Sequence, residues 1–125
     1  MDTKPRIAVT MGDPSGIGPE LCLHLLKKRR SDPSCTMVIF GNSTIMKKVA
    51  QTCNLPLPDH IIDGNCSNQK VAQIQTHCLL DLAFEGSESI CPGKHSAQAG
   101  TAGMHFLNSA IQAALTGHVD AITTA

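Results

Sequence analysis

A nine-residue segment near the start of the chain combines residue types that bind phosphates and cofactors. It reads Gly-Asp-Pro-Ser-Gly-Ile-Gly-Pro-Glu from Gly12 to Glu20, between a short apolar run and a helical pattern. A helix that begins in such a segment presents unpaired backbone N–H groups to an anion. Glycine also permits positive φ angles and the close approach of a ligand. The candidate cofactor-binding residues are therefore Gly12, Asp13, Ser15, Gly16 and Gly18.

The segment matches neither of two common phosphate-binding motifs. A P-loop requires Gly-Lys-Ser/Thr, and the dinucleotide fingerprint requires glycine where Leu21 stands. The spacing is equally compatible with a tight strand–helix turn that binds nothing. Asp13 can accept a hydrogen bond from a cofactor hydroxyl or hold its own turn, as aspartate before proline often does. Ser15 can donate to a phosphate or cap the helix, and we expect the cap.

No second cluster of reactive side chains accompanies this segment. The six cysteines and six histidines are scattered, without a Cys-x-x-Cys or His-x-x-x-His pair, so we predict no zinc site. The chain is long and apolar enough to build a core without disulfides, and we expect free thiols. His24, His105 and His118 are expected at the surface. We assign no catalytic residue and no metal ligand within these 125 residues.

Composition and charge exclude several classes of function. Ten basic residues balance ten acidic ones, which removes the basic surplus that nucleic-acid binding requires. Trp and Tyr are absent and only three Phe are present, too few for a base-stacking platform. No apolar run approaches the roughly 20 residues of a membrane span, and the N-terminal apolar stretch is too short for a signal peptide. We expect a cytoplasmic protein without nucleic-acid or membrane partners.

Alternating strands and helices must position the glycine-rich segment. Strands are predicted at 6–10, 36–40, 60–63, 79–83 and 119–124, and helices at 19–30, 43–54 and 99–116. Residues 71–75 are ambiguous, and loops are expected at 64–69 and 86–96. This order is typical of an α/β protein with a mostly parallel sheet flanked by helices.

Apolar spacing predicts the buried faces of two helices. In the first helix, Cys22, Leu25 and Leu26 form one stripe, with Leu21 beside them. The last helix carries two apolar rows, Ala102, Phe106 and Ala110, and beside them Leu107, Ile111 and Leu115. The last predicted strand reaches Thr124, one residue before the final Ala125. Because ligands bind beyond the carboxyl ends of such strands, we expect residues 1–125 to be the front part of a longer protein.

Two blocks of the sequence are diagnostic in their order and spacing. The first joins Ile7–Met11 to the glycine-rich segment. The second begins with Pro92-Gly93 and Ala99-Gly100 and ends with Gly-His-Val-Asp-Ala-Ile-Thr-Thr-Ala at 117–125. Together they resemble the 4-hydroxythreonine-4-phosphate dehydrogenase family of pyridoxal phosphate biosynthesis. The middle of the chain, 43–89, does not contribute to the resemblance.

The resemblance implies a fold like that of the isocitrate and isopropylmalate dehydrogenases. Residues 1–125 would be the N-terminal α/β segment of a longer, two-lobed homodimer. The implied reaction is oxidation of the hydroxyl of 4-phosphooxy-L-threonine by NAD or NADP, followed by loss of carbon dioxide. A divalent metal (Zn, Mg or Co), bound by histidines beyond this segment, would polarise the oxygens. The segment alone would then be inactive.

The resemblance also implies which residues of this chain line a pocket. The loop from Gly12 to Gly18 would form a wall of the cleft between the lobes, near the cofactor or the substrate phosphate. Thr123 and Thr124, at the end of the last strand, are further candidate pocket residues. Two alternatives remain open: a related dehydrogenase of threonate or erythronate 4-phosphate, and a phosphate- or nucleotide-binding module without catalysis.

Overall fold

A five-stranded parallel sheet forms the centre of the computed structural model, which describes residues 4–64 and 69–125. The strand order is β3-β4-β2-β1-β5, and every neighbouring pair is parallel. The strands are β1 (Arg6–Thr10), β2 (Thr36–Gly41), β3 (Ile61–Asp63), β4 (Cys78–Asp81) and β5 (Ala121–Thr124). The helices are α1 (Gly18–Lys28), α2 (Ser43–Cys53), α3 (Gln69–Ala72) and α4 (Ala97–Leu115). The predicted α/β fold with a parallel sheet is confirmed.

Burial of β2 explains its apolar composition. All six residues of β2 are buried, because the strand lies between β1 and β4 and both faces of the sheet are covered. Its continuous run of apolar residues is the pattern expected for a parallel strand in this position. Phe40 is paired with Thr10 of β1 and Leu80 of β4, so these three side chains share one face of the sheet.

Helices cover the two faces of the sheet. The helices α1 and α2 contact each other, whereas α4 packs across β1, β2 and β5. Crossovers between parallel strands are right-handed. The connections through α1 and α2 run towards β3, and the connection through α4 runs back to β5. These opposite directions place α1 and α2 on one face and α4 on the other.

The buried face of α1 differs from the predicted stripe. Cys22 and Leu26 are buried as expected, but Leu23 is buried in place of Leu25, which is only half-buried. Leu21 is 47% exposed. The buried face is centred between Cys22 and Leu23. Successive helix residues are about 100° apart, so Leu21 points away from this face.

The second apolar row of α4 also lies outside the core. Ala102, Phe106 and Ala110 are buried, and small residues at 99 and 113 extend this row. Leu115 is 76% exposed, Ile111 is exposed and Leu107 is half-buried. The prediction that both rows are buried is therefore wrong. The row of small residues is the one that allows α4 to approach the sheet closely.

Backbone and side-chain bonds join the strands at the amino edge of the sheet. The backbone N–H of Arg6 donates to the Asp120 carboxylate at 2.8 Å, and the Arg6 side chain donates to the carbonyl of Ile74. The N–H of Met37 donates to Nδ1 of His77 at 3.0 Å. Nε2 of the same imidazole therefore carries the proton and donates to the Asp32 carbonyl at 3.1 Å.

Local predictions elsewhere in the chain have mixed outcomes. The ambiguous interval 71–75 overlaps α3, and the expected loop 86–96 contains a short 3₁₀ turn at Ser87–Ser89. Five cysteines are free thiols, as expected. Cys66 and most of the predicted loop 64–69 lie outside the described residues. Within the described ranges no helix is long and apolar enough to cross a membrane.

Candidate functional site

The glycine-rich loop lies at the point where the strand order of the sheet reverses. The chain leaves β1 through α1 to β2 on one side, whereas β5 pairs with β1 on the other side. The N–H of Met11 donates to Phe40 and the N–H of Ala125 donates to Thr10, each at 3.0 Å. The carboxyl ends of β1, β2 and β5 are thus held side by side. In open α/β sheets, ligands bind in the crevice at such a switch point.

Asp13 holds the turn of the loop. Its Oδ1 accepts hydrogen bonds from the backbone N–H of Ser15 at 2.8 Å and from the Ser15 hydroxyl at 2.7 Å. The N–H of Gly16 donates to the Asp13 carbonyl at 2.9 Å. The turn-holding role left open for Asp13 is therefore observed. Asp13 is exposed and its Oδ2 has no bond within the described chain, so that oxygen can still accept from a ligand.

Ser15 does not cap α1. The N-cap residue is Ile17, and no side chain within 4–64 and 69–125 accepts a hydrogen bond from the first turn. Ser15 is buried and its hydroxyl is used by Asp13. The expected helix cap is therefore wrong, because the carboxylate two residues earlier competes for the same hydroxyl. Pro19 has no N–H and the N–H of Leu21 donates to the Ile17 carbonyl, so the N–H groups of Gly18 and Glu20 are the donors left for an anion.

Two glycines are required by the backbone of this loop. Gly12 has a φ of 74°, which side chains other than glycine adopt only with strain. A Cβ atom on Gly18 would overlap with the carbonyl oxygen of Met11. Pro19 follows inside the first turn and is fully buried. The loop therefore turns directly from β1 into α1 with its backbone close to the strand.

Two other segments hold the loop from outside, and sequence reasoning missed both. The N–H of Gly93 donates to the Ser15 carbonyl at 2.7 Å. A Cβ atom on Gly103 of α4 would lie 3.3 Å from the backbone N of Asp13, so α4 packs directly against the loop. Glycine inside a helix costs stability, and its presence at 103 is a sequence signal of close packing.

Thr123 and Thr124 lie beside the loop but face opposite sides of the sheet. Thr123 pairs with Val9, and Thr124 pairs with Thr10. Successive strand residues point to opposite faces, so Thr124 lies on the α4 side with Thr10. Both threonines are exposed. Their role as pocket residues stays a prediction, and a single pocket on one face could use only one of them.

The start of α2, at the same edge of the sheet, is occupied by the protein itself. Asn42 caps α2 by accepting a hydrogen bond from the N–H of Ile45. The carboxylate of Asp81 accepts from the N–H of Ser43 at 2.8 Å and from the Ser43 hydroxyl at 2.9 Å. An anion therefore cannot bind the start of α2 without displacing Asp81, whereas α1 has no such internal partner.

A cavity of about 380 Å³ lies at the opposite, amino edge of the sheet. It is lined by residues that precede the strands, including Lys4, Cys35, His60 and His77. This position separates it from the glycine-rich loop by the length of the strands. We therefore place the candidate site at the carboxyl edge. No group of three or more His, Cys, Asp or Glu side chains that could hold a metal occurs within 4–64 and 69–125.

Comparisons with known proteins identify the family of the chain. The sequence model of the family described as "Pyridoxal phosphate biosynthetic protein PdxA" matches residues 33–125. A "Putative D-threonate 4-phosphate dehydrogenase" of Symbiobacterium thermophilum is 34% identical over 99% of this chain. A 4-hydroxythreonine-4-phosphate dehydrogenase of Trichlorobacter lovleyi is 32% identical over 98% of it.

Structural similarity covers the same range. A crystal structure of 4-hydroxythreonine-4-phosphate dehydrogenase from Klebsiella pneumoniae matches with a TM-score of 0.80 and 30% identity, over 98% of this chain and 37% of that one. The chain spans about 36% of the length of the two curated relatives. The family match covers most of the 125 residues, and the chain belongs to the PdxA family.

Proposed function

We propose that this chain is the N-terminal part of a dehydrogenase that oxidises a phosphorylated four-carbon hydroxy acid with NAD or NADP. The observation that carries the proposal is the uncapped start of α1, reached through the glycine-rich loop at the switch point of a PdxA-family sheet. The full protein would be a cytoplasmic homodimer. We assign it to pyridoxal phosphate biosynthesis, with 4-phosphooxy-L-threonine as the substrate.

A second substrate is supported by the names of the relatives. Threonate or erythronate 4-phosphate carries a hydroxyl where 4-phosphooxy-L-threonine carries an amino group. The relative named for D-threonate 4-phosphate is 34% identical and the one named for 4-hydroxythreonine 4-phosphate is 32% identical. Both substrate classes are therefore represented among similar relatives. The residues that distinguish an amino group from a hydroxyl decide the substrate, and none of the described side chains at the carboxyl edge is assigned that role.

The described residues fit a phosphate-bearing ligand. In the first turn of α1, the backbone N–H groups of Gly18 and Glu20 are the donors offered to an anionic phosphate, since Pro19 has no N–H. The bonds from Ser15 fix one oxygen of Asp13, so the free Oδ2 is oriented to accept a hydrogen bond from a ligand hydroxyl. The chemistry supplied by a bound NAD or NADP is acceptance of hydride from the carbon that bears the substrate hydroxyl.

A divalent metal of the kind the resemblance implies, Zn, Mg or Co, does not fit the described residues. They bring together no group of three His, Cys, Asp or Glu side chains. We propose that residues of the complete protein beyond this 125-residue segment supply its ligands. The contribution of this segment is then to bind and orient the phosphate and a hydroxyl beside the reacting centre.

The test is NAD(P)H formation by the complete protein with each substrate, in the presence of each metal in turn. We expect saturable turnover with 4-phosphooxy-L-threonine and slower or no turnover with D-threonate 4-phosphate and D-erythronate 4-phosphate. The opposite order would assign the second substrate class. Saturable NAD binding without turnover on any of the three would support a binding module without catalysis and contradict the proposed dehydrogenase.

A further inference from the structure

The segment 86–96, between β4 and α4, touches the glycine-rich loop through one backbone bond. The N–H of Gly93 donates to the carbonyl of Ser15 at 2.7 Å, and Ser15 is buried at this contact. Two further bonds lie within the segment: the N–H of Ser89 donates to the carbonyl of Gly86, and that of Lys94 donates to the carbonyl of Cys91. Its position relative to the loop therefore depends on few attachments.

Lys48 of α2 attaches this segment to the body of the protein. Its ammonium donates to the carbonyl of Glu88 at 2.6 Å and lies 3.5 Å from the carbonyl of Ile90. The Ile90 side chain is buried beside it. Hydrogen bonds from a charged donor are stronger than neutral ones. The neighbouring Lys47 is exposed and makes no such bond within the described chain.

We infer that Lys48 is a positioning residue for the glycine-rich loop. The ammonium holds the turn at 88–90, Gly93 follows three residues later in the chain, and the N–H of Gly93 holds the Ser15 carbonyl. Ser15 in turn donates to Asp13, whose free oxygen faces the ligand in the proposed function. The inference depends on that proposed function only where it concerns catalysis. The mechanical link from Lys48 to the loop stands on the contacts alone.

Amide hydrogen exchange in the complete protein tests the mechanical link directly. Lys48→Met removes the ammonium and keeps most of the apolar stem. We expect exchange to accelerate about fivefold to tenfold in 86–96 and in 12–18, the range that corresponds to the net loss of one ordinary hydrogen bond. Lys48→Arg keeps a charged donor and should restore most of the protection. Lys47→Met, the matched control on the same helix, should leave both segments unchanged.

Three outcomes would overturn the inference. Faster exchange in 86–96 with unchanged exchange in 12–18 would show that the two segments are not coupled. Equal acceleration in the buried strand Thr36–Gly41 would show a general loss of stability rather than positioning. Equal acceleration of exchange by Lys47→Met and Lys48→Met would show that the positive charge of α2, and not the bonds of Lys48, protects the two segments.

Steady-state kinetics then test the consequence for the proposed function. We expect Lys48→Met to raise KM for the phosphorylated substrate or the cofactor about threefold to tenfold with little change in kcat, because a misplaced loop weakens binding. Lys48→Arg should return KM towards the wild-type value. An unchanged KM together with accelerated exchange in 12–18 would refute the role in ligand binding. Absence of turnover in the wild type would instead contradict the proposed function and leave the exchange result to decide the mechanical link.

Discussion

Gly18→Ala should destabilise the protein by blocking the close approach of α1 to β1. The added Cβ would overlap with the Met11 carbonyl oxygen, and this backbone atom cannot rotate away as a side chain can. Met11 itself is fully buried and its N–H donates to Phe40 at 3.0 Å. We estimate about 1–3 kcal/mol for the overpacking and about 1 kcal/mol for strain on that hydrogen bond. The expected loss of stability is therefore about 2–4 kcal/mol.

Urea unfolding of the complete protein measures this loss, and the chain offers a matched control. A Cβ on Gly100 of α4 would meet nothing within 4 Å. Alanine also favours a helix over glycine by about 0.5–1 kcal/mol. Gly100→Ala should therefore leave the free energy of unfolding unchanged or raise it slightly. Wild-type stability in Gly18→Ala, or an equal loss in Gly100→Ala, would refute the packing argument.

Three further predictions concern thiols and carboxylates. Burial raises the pKa values of Cys22 and Cys78 to about 12. Neither thiol should therefore react with a thiol reagent at pH 8, whereas the exposed Cys91 should. Rapid labelling of all three cysteines would contradict this prediction. Asp81→Ala should cost about 1–2 kcal/mol in urea unfolding, because α2 loses a carboxylate partner at its first turn, and an unchanged midpoint would argue against that role. Hydrogen bonds from Ser34 and from Arg29 lower the pKa of Asp32. The ionised carboxylate of Asp32 therefore stabilises the fold fully above the unfolded pKa of about 4. This stabilisation is lost as pH falls through the lower pKa of the folded state, so Asp32→Asn should reduce the acid dependence of stability.

The sheet could be predicted because its buried strands are composed almost entirely of apolar residues. The run at 36–40 is apolar at nearly every position, as a strand covered on both faces must be. The strand-to-helix turn at 12–18 could be predicted for a similar local reason, since the glycines favour a tight turn and Pro19 favours the first turn of a helix. These signals depend on neighbours in sequence, which are visible without a structure.

Features that depend on distant contacts could not be predicted in the same way. The exposure of Leu115 follows from which row of α4 fits closely against the sheet, and periodicity alone makes both rows equal candidates. The Gly93 bond to Ser15 joins residues 78 positions apart in sequence. The predicted helix cap at Ser15 is wrong because the hydroxyl donates to Asp13, two residues away.

Ligand protection of backbone amides tests the placement of the site at the carboxyl edge of the sheet most directly. The complete protein would be measured by hydrogen exchange with and without saturating NAD and 4-phosphooxy-L-threonine. We predict slower exchange in 12–18, at the start of α1, and no change in 56–60 beside the cavity at the amino edge. Protection confined to 56–60, or unchanged exchange in 12–18 while the ligands are shown to bind, would contradict the account.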